Sequence, residues 1–367
     1  MSTLLKDLYS PAFYKSFTNV LAQVLPDLSK QLFINTVFDE TFGDKELKDR
    51  MRHTAQVLHQ FLPKNFAQAA KVIQQLIIQL RNNNIKESSL EYMFLPDYIE
   101  TYGLNDFDSA VKAMEFVTQF TSCEFAVRPF ILKYGDRMLQ QMLAWSLHEN
   151  DKVRRLASEG ARPRLPWAMA IPALKKDPTP VLPILENLKN DPSEFVRRSV
   201  ANNLNDIAKD HPDIVIDIAK KWKGIGKETD AIIKHGCRTL LKQGHAAILK
   251  HYGLQSENIA FNEFTIATPK VAVGQSLVFS FFIENNNNTF QVIRLEYAVY
   301  YKRQNGQLSK KVFKISERQY QSNEKAIVQR RQSFKPITTR KFYAGQHQLS
   351  IIINGEEKEI KTFELEN

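Results

Sequence analysis

The stretch VRRLASEGARPRLPW at residues 153–167 places a carboxylate among arginines. Arg155, Glu159 and Arg162 fall at i, i+4 and i+7 of a predicted helix and share one face, while Leu156 and Ala157 turn to the opposite side. The stretch then breaks into a proline-stiffened basic turn, Arg162-Pro163-Arg164-Leu165-Pro166, that ends on Trp167. A carboxylate flanked by guanidinium groups, with an indole held nearby, suits a polyanion that carries a positive or electron-poor group. The same spacing also describes a solvated helix face laced by i,i+4 salt bridges. Recurrence of the pattern weighs against that plainer description.

Val153-Arg154-Arg155 returns 43 residues later as Val196-Arg197-Arg198, continuing SVANNLNDIA, so that Arg198, Asn202, Asn205 and Asp206 share a face. Each frame follows an acidic turn, HEND or KNDPSE. Each is also preceded by an apolar amphipathic segment, Met138-Leu139-Met142-Leu143-Leu147 in one and Val181-Leu182-Ile184-Leu185-Leu188 in the other. Two-helix repeats of about 40–47 residues mark HEAT or armadillo-type arrays, whose units bury their apolar faces by stacking on neighbours. A degenerate third copy spans residues 227–244, with Ile232-Ile233-Lys234 in place of Val-Arg-Arg. In such an array Arg155 and Arg198 line one concave surface together.

The elements that must position these residues change character near Gln255. Before it, apolar residues recur at helical spacing, as in Val57, Leu58, Phe61 and Leu62 or Val72, Ile73, Leu76, Ile77 and Leu80. Asp177-Pro178 and Asp191-Pro192 read as helix starts. After it the period drops to two, through FNEFTIA, SLVFSFFIE, VIRLEYAVYY, KVFKISE, QRRQSF, HQLSIIIN and KEIKTFEL. Asn305-Gly306 and Asn354-Gly355 are hairpin signals, and a further turn covers residues 285–288. The expected fold is thus a multidomain α plus β chain: an α-solenoid of HEAT-like repeats over residues 1–255, then an all-β immunoglobulin-like sandwich over 256–367. With no cysteine in its strands, that sandwich is held by its core alone.

The 367 residues are 43% hydrophobic and 25% charged, ordinary for a globular protein. The two cysteines, Cys123 and Cys237, form no CxxC, which argues against a disulfide framework or zinc site and fits a reducing cytosol. No apolar stretch approaches a membrane span, and the N-terminal MSTLLKDLYSPAFYKSF lacks an export signal. The eight histidines show no ligand spacing, so neither metal nor cofactor is expected. Residues 294–341 hold 13 Lys and Arg against 3 Asp and Glu, a balance of +10 that equals the net charge of the whole chain. Lysines on edge strands discourage aggregation, but a one-sign cluster that includes Arg330, Arg331, Lys335, Arg340 and Lys341 fits a nucleic-acid backbone better.

Three phrases carry a family resemblance: TSCEFAVRPF at residues 121–130, VRRLASEGARPRLPW, and DPSEFVRRSVANNLNDIAKDHP at 191–212. The helical region resembles the AlkC branch of the DNA alkylation-repair glycosylases, HEAT-like repeat enzymes. The segment RRQSFKPITTRKFYAGQHQLSIIINGE resembles the immunoglobulin-like domain that some AlkC proteins carry. The resemblance implies a monofunctional glycosylase that excises cationic alkylated bases, 3-methyladenine and 3-methylcytosine, from duplex DNA, with little need for an extrusion pocket. No site is placed in the first hundred residues.

The chemistry can be reasoned from the substrate. Alkylation of a ring nitrogen makes the base cationic and a good leaving group. As the glycosidic bond breaks, positive charge moves to the sugar, where carboxylates stabilise it, and one carboxylate can orient or deprotonate the attacking water. Glu124, Glu159 and Asp206 are the candidate catalytic residues, with Glu124 foremost as a lone acid on an otherwise apolar helix. For each the alternative is a salt bridge: Glu124 with Arg128, Glu159 with Arg155 or Arg162, Asp206 with a lysine. Phe125 and Trp167 are candidates to pack against the lesion nucleotide, with helix-end packing the equal alternative for Phe125. Arg155, Arg162, Arg164 and Arg198 are candidate phosphate ligands. Nothing suggests a Schiff-base lysine, so hydrolysis without strand cleavage is expected, by a monomer that is cytoplasmic and nucleoid-associated when on DNA. The competing class is a non-catalytic HEAT scaffold that binds nucleic acid or protein.

Overall fold

A computed structural model describes residues 4–337 and 340–366; Thr338 and Thr339, inside the resembling C-terminal segment, lie outside the described residues. The chain divides into two compact units, Met1–Gly236 and Cys237–Asn367.

The first unit is helical. It begins with α1 (Pro11–Leu21), α2 (Lys30–Val37), α3 (Leu47–Phe61), α4 (Phe66–Asn82), α5 (Phe94–Tyr102), α6 (Phe107–Val117) and α7 (Val127–Tyr134). It continues through α8 (Asp136–Trp145), α9 (Asp151–Gly160), α10 (Pro172–Lys176), α11 (Leu182–Leu188), α12 (Glu194–Ile207), α13 (Pro212–Trp222) and α14 (Lys227–Gly236). None of the described helices is long and apolar enough to cross a membrane. The predicted repeat appears as the pairs α8–α9 and α11–α12, with α9, α12 and α14 packed side by side. Met138 and Met142 of α8 are buried, whereas Leu147 lies beyond the helix and is exposed. Ile232 and Ile233 of the degenerate copy are buried in α14. Asp191 and Asp177 do not cap helices directly. Each folds a turn, accepting from the backbone N–H two residues on, at Ser193 (2.8 Å) and Thr179 (2.9 Å).

The first arginine of each Val-Arg-Arg frame has one structural task. Arg154 Nη1 donates to the carbonyls of His148 and Glu149, and Arg197 Nη1 donates to those of Asp191 and Pro192, the same offsets in both repeats. Arg154 also grips both Asp191 oxygens, at 2.6 and 3.0 Å, tying one repeat to the next. Close packing sets the remaining geometry: a Cβ at Gly160 would collide with Val127, so glycine there lets α9 rest against α7.

The second unit opens with α15 (Arg238–Lys242) and α16 (Ala246–His251) and continues, among the described residues, as eight strands. These are β1 (Ile259–Ile266), β2 (Lys270–Ala272), β3 (Ser276–Asn285), β4 (Gln291–Lys302), β5 (Leu308–Tyr320), β6 (Lys325–Ser333), β7 (Gly345–Ile353) and β8 (Glu356–Glu366). They form a three-stranded sheet, β1-β3-β6, and a five-stranded sheet, β2-β8-β7-β4-β5. Each predicted strand is present; β2 is additional and too short to show alternation. Asn354 and Gly355 both have positive φ, 47° and 79°, as the tight β7–β8 turn requires. Leu277, Phe279, Phe281 and Ile283 alternate inward along β3 and meet Leu295, Tyr297 and Val299 of β4 in the core. Strand β4, between β7 and β5, is buried on both faces, and its second face holds Arg294 between Glu296 (2.6 Å) and Glu317 (2.9 Å).

Candidate active site and nucleic-acid interface

Glu124 lies in the turn that leads into α7, correcting the expectation of a helical position, with Phe125 beside it. Arg155 and Glu159 come from α9, Arg162 from the turn after it, and Asp206 from the end of α12. Tight α7–α9 and α9–α12 packing brings all three carboxylates into one ladder of alternating charge. Arg155 Nη1 pairs with Glu124, and its Nη2 lies 3.7 Å from Glu159 Oε1. Arg162 Nη1 reaches that same oxygen at 2.6 Å, while its Nε reaches Asp206 Oδ2 at 2.9 Å. Lys209 ends the ladder on Asp206 Oδ1 at 2.9 Å. The alternative pairings expected for Glu159 and Asp206 are therefore present. Glu124 pairs with Arg155 and Ser122 (2.9 Å) and not with Arg128.

Burial grades the ladder. Side-chain exposure falls from 19% at Glu124 to 7% at Glu159 and 3% at Asp206. Arg162 is buried, and burial works against its charge, but Glu159 and Asp206 outweigh that effect and hold its pKa above the ordinary arginine value. Its guanidinium is thus committed inside the protein. Arg155 is mostly covered too, with its guanidinium over the Phe195 ring at 4.5 Å. Phe195, just ahead of the second Val-Arg-Arg frame, carried no assignment in the sequence.

Arg128 has a different task. Fully buried, it donates from Nε to Met169 O (2.7 Å) and from Nη1 to Gly160 O (2.9 Å) and Arg162 O (2.8 Å). Burial first, and Arg162 second, push its pKa down to about 10. It clasps both ends of the loop that presents Trp167, which is 61% exposed with φ at +66°. A non-glycine residue in that region stores strain of about 1–3 kcal/mol and persists only where its surroundings hold it. Lys48 of α3 adds a second tether by donating to the Trp167 carbonyl, and its ammonium lies 5.4 Å from the centre of the half-buried Phe125 ring.

The sequence placed no site in the first hundred residues, yet α3 and α5 form one wall of the cleft beside Phe125 and Trp167. Arg52 binds both Asp97 oxygens, at 2.6 and 2.9 Å, and Glu100 at 3.0 Å. The available signal was the i,i+4 spacing of Lys48 and Arg52 and the i,i+3 spacing of Asp97 and Glu100, patterns shared by many surface helices.

The remaining arginines lie outside the ladder. Arg164 makes a bidentate pair with Asp210, at 2.6 and 2.9–3.1 Å, whose carboxyl pKa it lowers. Arg198 is exposed, bonded to Glu194 at 2.7 Å, and lines a neighbouring cavity of about 310 Å³ with Arg197, Lys227 and His235. In the second unit Arg330 and Arg331 are both exposed on edge strand β6, and Lys335 and Lys341 are exposed beyond it. Arg340 is half-buried, with its guanidinium 4.1 Å from the Tyr301 ring centre.

Residues 64–229 match the family described as DNA alkylation repair enzyme, and residues 260–367 match the C-terminal Ig-like domain family of the uncharacterised protein YhaZ. YhaZ of Bacillus subtilis (strain 168), described as uncharacterized, is 43% identical over 362 residues, covering 98% of this chain and 99% of that protein. The alkylpurine DNA glycosylase AlkC of Pseudomonas fluorescens, solved bound to DNA containing an abasic site analog, is 31% identical and superposes with a TM-score of 0.93 over 100% of both chains. With its charge ladder carried on HEAT-like helical repeats and an immunoglobulin-like domain following, this chain belongs to the AlkC-type family of DNA alkylation-repair glycosylases.

Proposed function

We propose that this protein is a monofunctional DNA glycosylase that removes 3-methyladenine and 3-methylcytosine from duplex DNA by hydrolysis, acting as a monomer without metal or cofactor at the cytoplasmic nucleoid. The single observation that carries this reading is the graded ladder, which sets one partly exposed carboxylate, Glu124, at the head of two buried ones. On heterolysis the bonding pair goes to the base nitrogen and neutralises the cationic base, leaving an oxocarbenium ion on the sugar. Glu124 stabilises that charge and takes the proton from the water that attacks C1′. Glu159 and Asp206 act behind it as positioning residues: they fix Arg162, and Glu159 also approaches Arg155, which holds Glu124. Arg162, being buried, completes the ladder in place of a phosphate contact. Phe125 and the exposed Trp167 meet the lesion nucleotide, and Arg155, Arg164 and Arg198 lie toward the backbone. The solved complex of the Pseudomonas fluorescens AlkC with abasic-analog DNA supports DNA as the partner.

The C-terminal domain serves the same duplex through Arg330, Arg331, Lys335, Arg340 and Lys341. The test is incubation with a duplex that carries one defined lesion, followed by measurement of free base and strand integrity. Free base with an intact strand is expected. DNA binding without base release returns the chain to the scaffold class.

A further inference from the structure

We infer that the cleft between α3, α5 and the Trp167 loop is a product site for a free methylated nucleobase that bears an exocyclic amine. The inference rests on the glycosylase reading above. The cleft measures about 290 Å³, just under the roughly 300–1,000 Å³ typical of drug-sized ligand sites and in keeping with a single nucleobase. Phe125 and Trp167 offer it aromatic surfaces, and the Met51 and Met169 thioethers add polarizable apolar contact suited to a ring methyl. Its acceptors are Asp97 and Glu100. Arg52 takes both oxygens of Asp97 but only one of Glu100, so Glu100 keeps an oxygen for a further N–H donor. Burial raises the pKa of both carboxyls, and the Asp97 charge raises Glu100 further, so each gains from an added donor. Bond heterolysis leaves the released base neutral and planar. The base excised from an adenine or cytosine lesion carries the amine that Glu100 would accept from, whereas an oxo base presents an acceptor against an acceptor.

Trp167 supplies the readout. Of the three tryptophans, Trp145 and Trp222 are each 1% exposed and Trp167 is 61% exposed, so added ligands quench Trp167 selectively. The full chain is titrated with free 3-methylcytosine and with 3-methyluracil, which replaces the amine by a carbonyl. Saturable quenching by the amino base below about 1 mM is expected, with binding of the oxo base about tenfold or more weaker. Glu100→Gln, whose amide can donate as well as accept, should bring the two affinities together. Met51→Tyr should weaken both by filling the cleft without altering a charge. Excision turnover should be inhibited by the free amino base over the same concentration range. A folded protein that excises base yet shows neither quenching nor inhibition overturns the product site alone, as does an unchanged ratio in Glu100→Gln. Binding of the free base by a protein that excises nothing supports the cleft and overturns the glycosylase reading.

Discussion

Replacing Glu124 with glutamine keeps the shape of the side chain and removes one negative charge from the exposed end of the ladder. The neighbourhood amplifies the change. Arg155 loses its closest anion and is left 3.7 Å from Glu159, whose Oε1 already receives Arg162 at 2.6 Å. A nearly uncompensated guanidinium then faces the sugar on which positive charge develops. A carboxylate about 4 Å from that charge contributes up to about 4 kcal/mol at an effective dielectric constant near 20. Removing one preorganised electrostatic partner typically lowers kcat by about 10²–10³, or about 2.7–4 kcal/mol, and Glu124 is covered enough to belong in that range. Single-turnover excision from a defined-lesion duplex should therefore fall by about 10²–10³, while DNA affinity changes less than about tenfold, since the lost charge repels phosphate. Excision near the wild-type rate in a folded Glu124→Gln protein would refute the assignment and reduce Glu124 to a salt-bridge partner of Arg155.

Buried Arg162 and exposed Arg198 should respond differently to removal. Arg162→Ala leaves buried Glu159 with only the 3.7 Å approach of Arg155 and Asp206 with Lys209, and should destabilise the fold by up to about 3–5 kcal/mol in denaturant unfolding, whereas exposed Arg198→Ala should stay within about 0.5 kcal/mol and weaken DNA binding alone. Glu186 gives a pH signature. Burial alone would raise its pKa, but Lys189, Trp222 and Lys221 pull it down from 4.5 to about 2. Its folded pKa lies below the unfolded value, so its stabilisation is present above about 4.5 and is lost as pH falls toward 2. Wild type should lose melting temperature more steeply than Glu186→Gln across that window, and parallel curves would contradict the linkage. In the full chain, Arg330→Gln with Arg331→Gln should flatten the log Kd against log salt slope by up to about 1.8 if both touch phosphate; an unchanged slope assigns that edge another partner.

Much of this architecture was legible because it repeats. The spacing of Arg155 and Arg198 marked the stacked helical pairs, and period-two alternation with Asn-Gly turns marked seven of the eight strands. What the spacing could not separate was one arginine from another. Arg154 and Arg197 cap turns, Arg162 is interior and Arg198 is exposed, although all four sit in similar strings. Burial decides among them, and burial depends on which helix lands alongside. Arg128 read as a salt-bridge partner because it lies four residues from Glu124. In the fold it is drawn to three carbonyls contributed from 32 to 41 residues away. Lys48, Arg52, Asp97 and Glu100 were invisible for the same reason, since only long-range packing sets α3 and α5 beside Trp167. The positive φ at Trp167 was unreadable too, because a tryptophan in that conformation is dictated by its tethers.

The most direct measurement is excision from a duplex containing a single 3-methylcytosine or 3-methyladenine, in chelator and without nucleotide, with the released base identified chromatographically and the strand resolved before and after alkali. Free methylated base and an intact strand that breaks only on alkaline treatment are expected, at a rate that collapses in Glu124→Gln. A folded protein that binds this duplex and releases no base would contradict the central claim.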